Sequence, residues 1–105
     1  MKETIGFDEL FALFREGGAI DETVFRFRGE AAKVERYIGF ISGNELPYWA
    51  GLCDIDGGAE FATADELFAA PIYGGRSLTD LRDEIELVGI AGLSVEEYIE
   101  YILKK

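Results

Sequence analysis

The stretch Asp54-Ile55-Asp56-Gly57-Gly58-Ala59-Glu60 gathers three carboxylates into seven positions. Closely spaced carboxylates followed by glycine can wrap a hard cation, and a metal held that way can activate water. The spacing does not keep to a calcium loop. Counted from Asp54, the fifth and sixth positions of such a loop call for Asp or Asn and then Gly, but Gly58 and Ala59 stand there, and the twelfth is Asp65 in place of Glu. No metal or other cofactor is expected, and the segment reads as a turn that ends a strand.

Histidine is absent. Its absence removes the usual general base, the usual activator of a serine or cysteine nucleophile and the commonest metal ligand. Cys53, the one cysteine, has no cation beside it in the sequence to hold a thiolate, so it reads as a small core residue. An enzyme would have to work through carboxylates, with Asp54, Asp56 and Glu60 as the sequence-local cluster. The residues weigh against catalysis, and no catalytic residue is assigned.

Two features suit an anion. Gly74-Gly75-Arg76-Ser77 precedes an expected helix start, where backbone N–H groups and an arginine could hold a phosphate or carboxylate, although the lysine and spacing of a P-loop are missing. Arg26, Arg28 and Arg36 alternate with apolar residues on expected neighbouring strands and could form a small cationic patch on the sheet face away from the helices. The competing account gives these arginines to acids such as Glu22 and Glu35.

The charge pattern points another way. Net charge is −11, and residues 37 to 75 contain Glu45, Asp54, Asp56, Glu60, Asp65 and Glu66 without a single base. Such a surface repels nucleic acid and attracts a basic protein. Tyr48 and Trp49 beside it are candidate aromatic anchors, although the core is the default place for bulky aromatics. The expected role is therefore a non-catalytic interaction module for a basic partner, of the inhibitor, antitoxin or immunity kind. The alternative is a small-ligand or anion-binding domain using Arg26, Arg28, Arg36 or the turn containing Gly75, Arg76 and Ser77. A second copy closing an aromatic-rich sheet face would make a homo-oligomer.

These residues must be positioned by one domain spanning 1–105. With 49% hydrophobic and 13% aromatic residues, the chain has the apolar surface for one core in spite of its charge. No uncharged apolar run is long enough to cross a membrane, and the opening Met-Lys-Glu-Thr-Ile-Gly lacks the apolar core of a signal peptide, so the expected location is cytoplasmic.

Apolar spacing at Phe7, Leu10, Phe11 and Phe14 predicts a first helix, stopped by Gly17-Gly18. Val24–Arg28, Val34–Ile41 and Tyr48–Ile55 predict a three-strand antiparallel meander. Thr63 caps a second helix that Pro71 stops, Ser77 and Asp80 start a short helix, and Ile85–Ile90 forms a fourth strand. Ser94 with Glu97 opens a last helix with a stripe of Val95, Tyr98, Ile99 and Ile102, and Lys104-Lys105 suits its negative end. The fold class is α+β, a mostly antiparallel sheet of about four strands with helices packed on one face.

The pentapeptide Asp-Glu-Leu-Phe-Ala occurs at 8–12 and again at 65–69. Both copies place two carboxylates in a first helical turn before a Leu-Phe pair that faces the core. Beyond them the sequences diverge, so the repeat is expected to be one helix-start grammar used twice, with no paired sites.

Overall fold

The computed structural model describes residues 5–16, 22–30 and 34–103. The first pentapeptide lies in a helix, Phe7–Glu16 (α1), which buries Leu10 and Phe14. Gly6 stands before it, and its N–H donates to Glu9 Oε1 at 3.3 Å. The Gly17-Gly18 stop and Lys104-Lys105 lie outside the described residues.

Six strands follow: Glu22–Phe27 (β1), Arg36–Phe40 (β2), Tyr48–Gly51 (β3), Ala59–Phe61 (β4), Ile85–Ile90 (β5) and Leu93–Ser94 (β6). They form one antiparallel sheet in the order β4-β3-β2-β1-β5-β6. The expected meander is β1-β2-β3, and the fourth expected strand is β5, paired with the outer side of β1. The expectation of about four strands misses β4 and β6, three and two residues long, because alternation cannot declare itself over so few positions.

The third strand stops at Gly51, four residues short of the expected Ile55. Leu52 takes a left-handed conformation, φ 49°, and breaks the alternation there. The chain then folds back closely enough at Gly58 that a Cβ on that residue would stand 2.7 Å from the Ala50 carbonyl oxygen. Only glycine fits this approach, and the approach is what lets β4 pair with β3.

Ala64–Ala69 (α2) carries the second pentapeptide. Thr63 caps it by accepting the Glu66 N–H, and Ala70 turns to extended geometry before Pro71. At Ser77 and Asp80 the capping hydrogen bonds form in both directions, but they close a turn followed by a 3₁₀ segment, Arg82–Glu84, in place of the expected α-helix. Ser94 and Glu97 make the expected reciprocal capping box for Val95–Tyr98 (α3), which loosens into a π turn at Ile99–Leu103.

Burial alternates along β1 and β3, so the sheet has two unlike faces. Phe25, Phe27, Ile38, Tyr48, Ala50 and Ile90 point inward and share one core with Leu10, Phe14, Leu67, Phe68, Tyr98 and Ile99 of the helices. The helices thus cover one face. On the other face register aligns Val24 with Tyr37, Arg26 with Glu86 and Trp49 with Glu60.

Candidate functional site

The base-free stretch of the sequence folds as a neighbourhood. From Tyr37 to Gly75 it supplies β3, β4 and all of β2 but its first residue, Arg36, which together are one end of the sheet, and α2 packed against β3 and β4. Its carboxylates occupy distinct places within that end. Glu45 sits in the β2–β3 turn, Asp56 in the β3–β4 connection beyond the opposite end of β3, and Glu60 on β4 beside Trp49 on the open face. Asp65 and Glu66 open α2.

Three of these six acids have internal partners. Asp65 forms a two-point ion pair with Arg15 of α1, at 2.9 and 3.3 Å. The Glu66 carboxylate accepts from the Thr63 hydroxyl at 3.4 Å, while the Glu66 backbone N–H donates to the same hydroxyl. Asp54 accepts N–H bonds from Gly74 and Gly75 at 2.9 and 3.0 Å, which hold its carboxyl below the usual range. Glu45, Asp56 and Glu60 are exposed, and among the described residues no arginine or lysine reaches them. Among the described residues no three His, Cys, Asp or Glu side chains come together as a metal site.

Exposed apolar side chains share the two connections that carry Glu45 and Asp56. Ile41 and Leu46 lie in the β2–β3 connection with Glu45, and Leu52 and Ile55 precede Asp56. Of the two aromatic residues, Tyr48 takes the default core position, pointing inward and donating its hydroxyl to the Phe14 carbonyl. Trp49 points to the open face, half-buried, with its indole N–H shielded and unpaired among the described residues.

The expected cationic patch does not share one face. Register places Arg36 opposite Phe25, on the helix side, whereas Arg26 lies on the open side opposite Glu86. Arg26 pairs with Glu86; Arg36 grips Glu30 with both terminal nitrogens and stands 4.9 Å above the Phe27 ring. The Glu30 carboxyl is held below its ordinary value by that hydrogen bonding. Arg28 sits in the turn after β1, its N–H bonded to the Glu84 carbonyl.

The Gly74-Gly75 turn has the form expected of an anion nest. Both glycines have positive φ, 66° and 78°, and their consecutive N–H groups converge. The carboxylate they hold is the chain's own Asp54. Arg76 reaches Glu84 at 3.7 Å, and Ser77 and Asp80 cap each other. Hydrogen bonds from Ser77 hold the Asp80 carboxyl low in turn.

Beside this turn lies a cavity of about 200 Å³, lined by Val34, Arg36, Leu52, Cys53, Asp54, Tyr73 and Gly74. Cys53 is half-buried there and packs against the core, as a small apolar residue would. The main novelty is Tyr73, 6% exposed, whose hydroxyl is buried without a hydrogen-bond partner among the described residues. Arg36, Cys53 and the glycines around it are legible in the sequence as candidates, whereas Tyr73, Val34, Leu52 and Glu30 are not. The local signal was faint: Tyr73 is an aromatic residue immediately before two glycines.

Comparison of the chain with protein-family models, curated proteins and solved structures finds no match in any of the three. Among the described residues no helix is long and apolar enough to cross a membrane.

Proposed function

We propose that the chain is a non-catalytic interaction module whose acidic end receives a basic protein partner, in the manner of a small inhibitor, antitoxin or immunity protein, in the cytoplasm. The supporting observation is how charge is apportioned. Arg15, Arg26, Arg36 and Arg76 are each engaged by a carboxylate, while Glu45, Asp56 and Glu60 face solvent among exposed apolar side chains. An interface needs apolar surface for affinity and uncancelled charge for steering and partner choice, and this end of the sheet offers both.

Anion binding at the Gly74–Ser77 turn is the weaker reading because a ligand must first displace Asp54 from two N–H bonds. Self-association is opposed by the net charge of −11 on every copy. Nucleic acid is repelled on the same ground.

Affinity capture from lysate at low and at high salt, with identification of what elutes, tests the proposal. A basic protein retained only at low salt is the expected outcome. Retention of an acidic protein, or retention indifferent to salt, would remove the electrostatic rationale.

A further inference from the structure

The two edges of the sheet are not equally closed. At the β6 edge, Ser94 is also the N-cap of α3, and its backbone N–H donates to Glu97 Oε1 at 3.1 Å. At the β4 edge, Ala59–Phe61 pair with β3 on one side, and among the described residues they make no backbone–backbone hydrogen bond on the other. Such an edge offers its N–H and C=O groups to a further strand, and neither lysine nor proline guards it.

The side chains of β4 select what can pair there. Its exposed residue is Glu60, set by register beside Trp49 on the open face, and among the described residues no arginine or lysine reaches it. Ala59 and Phe61 point inward but are only half-buried against the core, so a strand laid outside them completes their cover. A basic residue between two apolar ones matches this alternation: the cation faces Glu60 across the new pair, and the apolar side chains lie beside Ala59 and Phe61. A second copy of this chain does not match. Antiparallel pairing of two such edges centred on Glu60 sets two carboxylates directly opposite one another.

Building on the reading of the acidic end as the receiving surface for a basic protein, we propose that this partner docks by strand addition, with an extended segment of alternating apolar and basic residues pairing along β4. Backbone hydrogen bonds give the segment its register. Three residues make a short pairing, so Glu60 decides between segments whose backbones pair equally well.

Titration of the full chain with the peptide acetyl-Thr-Val-Arg-Val-Thr-amide, followed by backbone amide NMR shifts and hydrogen exchange, tests it. Saturable shifts centred on Trp49 and Ala59–Phe61 are expected, with slowed exchange at the β4 amides that face the edge. The same peptide N-methylated at its three central residues keeps its charge but loses its backbone donors, and should bind about tenfold more weakly or worse. Replacing its arginine by glutamate should weaken binding about two- to fivefold, and Glu60→Lys should reverse that preference. Absence of saturable shifts at β4, or equal binding of the N-methylated peptide, would overturn strand addition while leaving the salt-dependent capture of a basic partner standing. Equal binding of the glutamate peptide would overturn the choice of a basic segment.

Discussion

Phe11 of α1 and Phe68 of α2 stack with their ring centroids 4.6 Å apart and planes 14° from parallel. They hold the same fourth position in the two pentapeptide copies. The repeat is therefore a contact as well as a shared helix start: the copies pack on each other, and Arg15, one turn beyond Phe11, crosses to Asp65 at the head of the second copy. Phe7 and Phe14 add edge contacts to the same ring, which makes Phe68 the centre of the helix layer.

Truncating that centre should be costly. Phe68 is 1% exposed, so Phe68→Ala is expected to lose about 3–5 kcal/mol in urea unfolding, whereas half-buried Phe11→Ala should lose visibly less. Equal losses would mean the stack is incidental to the core.

Removing the unpaired hydroxyl should do the reverse. Tyr73→Phe deletes a buried polar atom with no partner among the described residues and keeps the ring contacts, so the chain should gain up to about 1 kcal/mol by the same measurement. A loss of similar size would show that an ordered water already satisfies the phenol.

Acid should loosen the turns that carboxylates hold. The carboxyls of Asp54, Asp80 and Glu30 titrate below their unfolded values, so the stability they contribute is fully present above about pH 5 and disappears as pH falls through their lowered folded values. Asp54→Asn cannot titrate. Its deficit in melting temperature against the unaltered chain should be largest near neutrality and close on acidification; a gap independent of pH would contradict the role given to the Gly74 and Gly75 N–H groups.

Arg36 should resist conservative replacement. A lysine can neither meet both Glu30 oxygens in one plane nor stack flat on Phe27, so Arg36→Lys is expected to cost about 1–2 kcal/mol, close to the loss from Arg36→Gln. Full recovery with lysine would reduce the interaction to simple charge.

Much of this fold could be read from local pattern. Helix spacing gave α1 through Glu16, capping chemistry at Thr63 and Ser94 gave two helix starts, and alternation gave β1, β2, β5 and the opening of β3. What escaped depends on contacts distant in sequence. The Asp54 bond to Gly74 spans twenty residues, and the turn gives no sign that the chain itself supplies its carboxylate. The expected open-face position of Arg36 gives way to the helix side because its face follows from register against Phe25, which alternation within one strand does not fix. Leu52 shows no glycine-like signal for its left-handed backbone, so alternation alone runs the strand past it. The hydroxyl of Tyr73 becomes informative only once its neighbours are known to leave it unpaired.

The role of the free acids is tested most directly by the association rate constant of the captured basic partner as a function of ionic strength, for the unaltered chain and for a triple variant carrying Glu45→Lys, Asp56→Lys and Glu60→Lys. The account predicts that raising salt slows association of the unaltered chain by about tenfold or more, and that the variant associates slowly at every salt concentration. An association rate that ignores both salt and the reversed charges would contradict it.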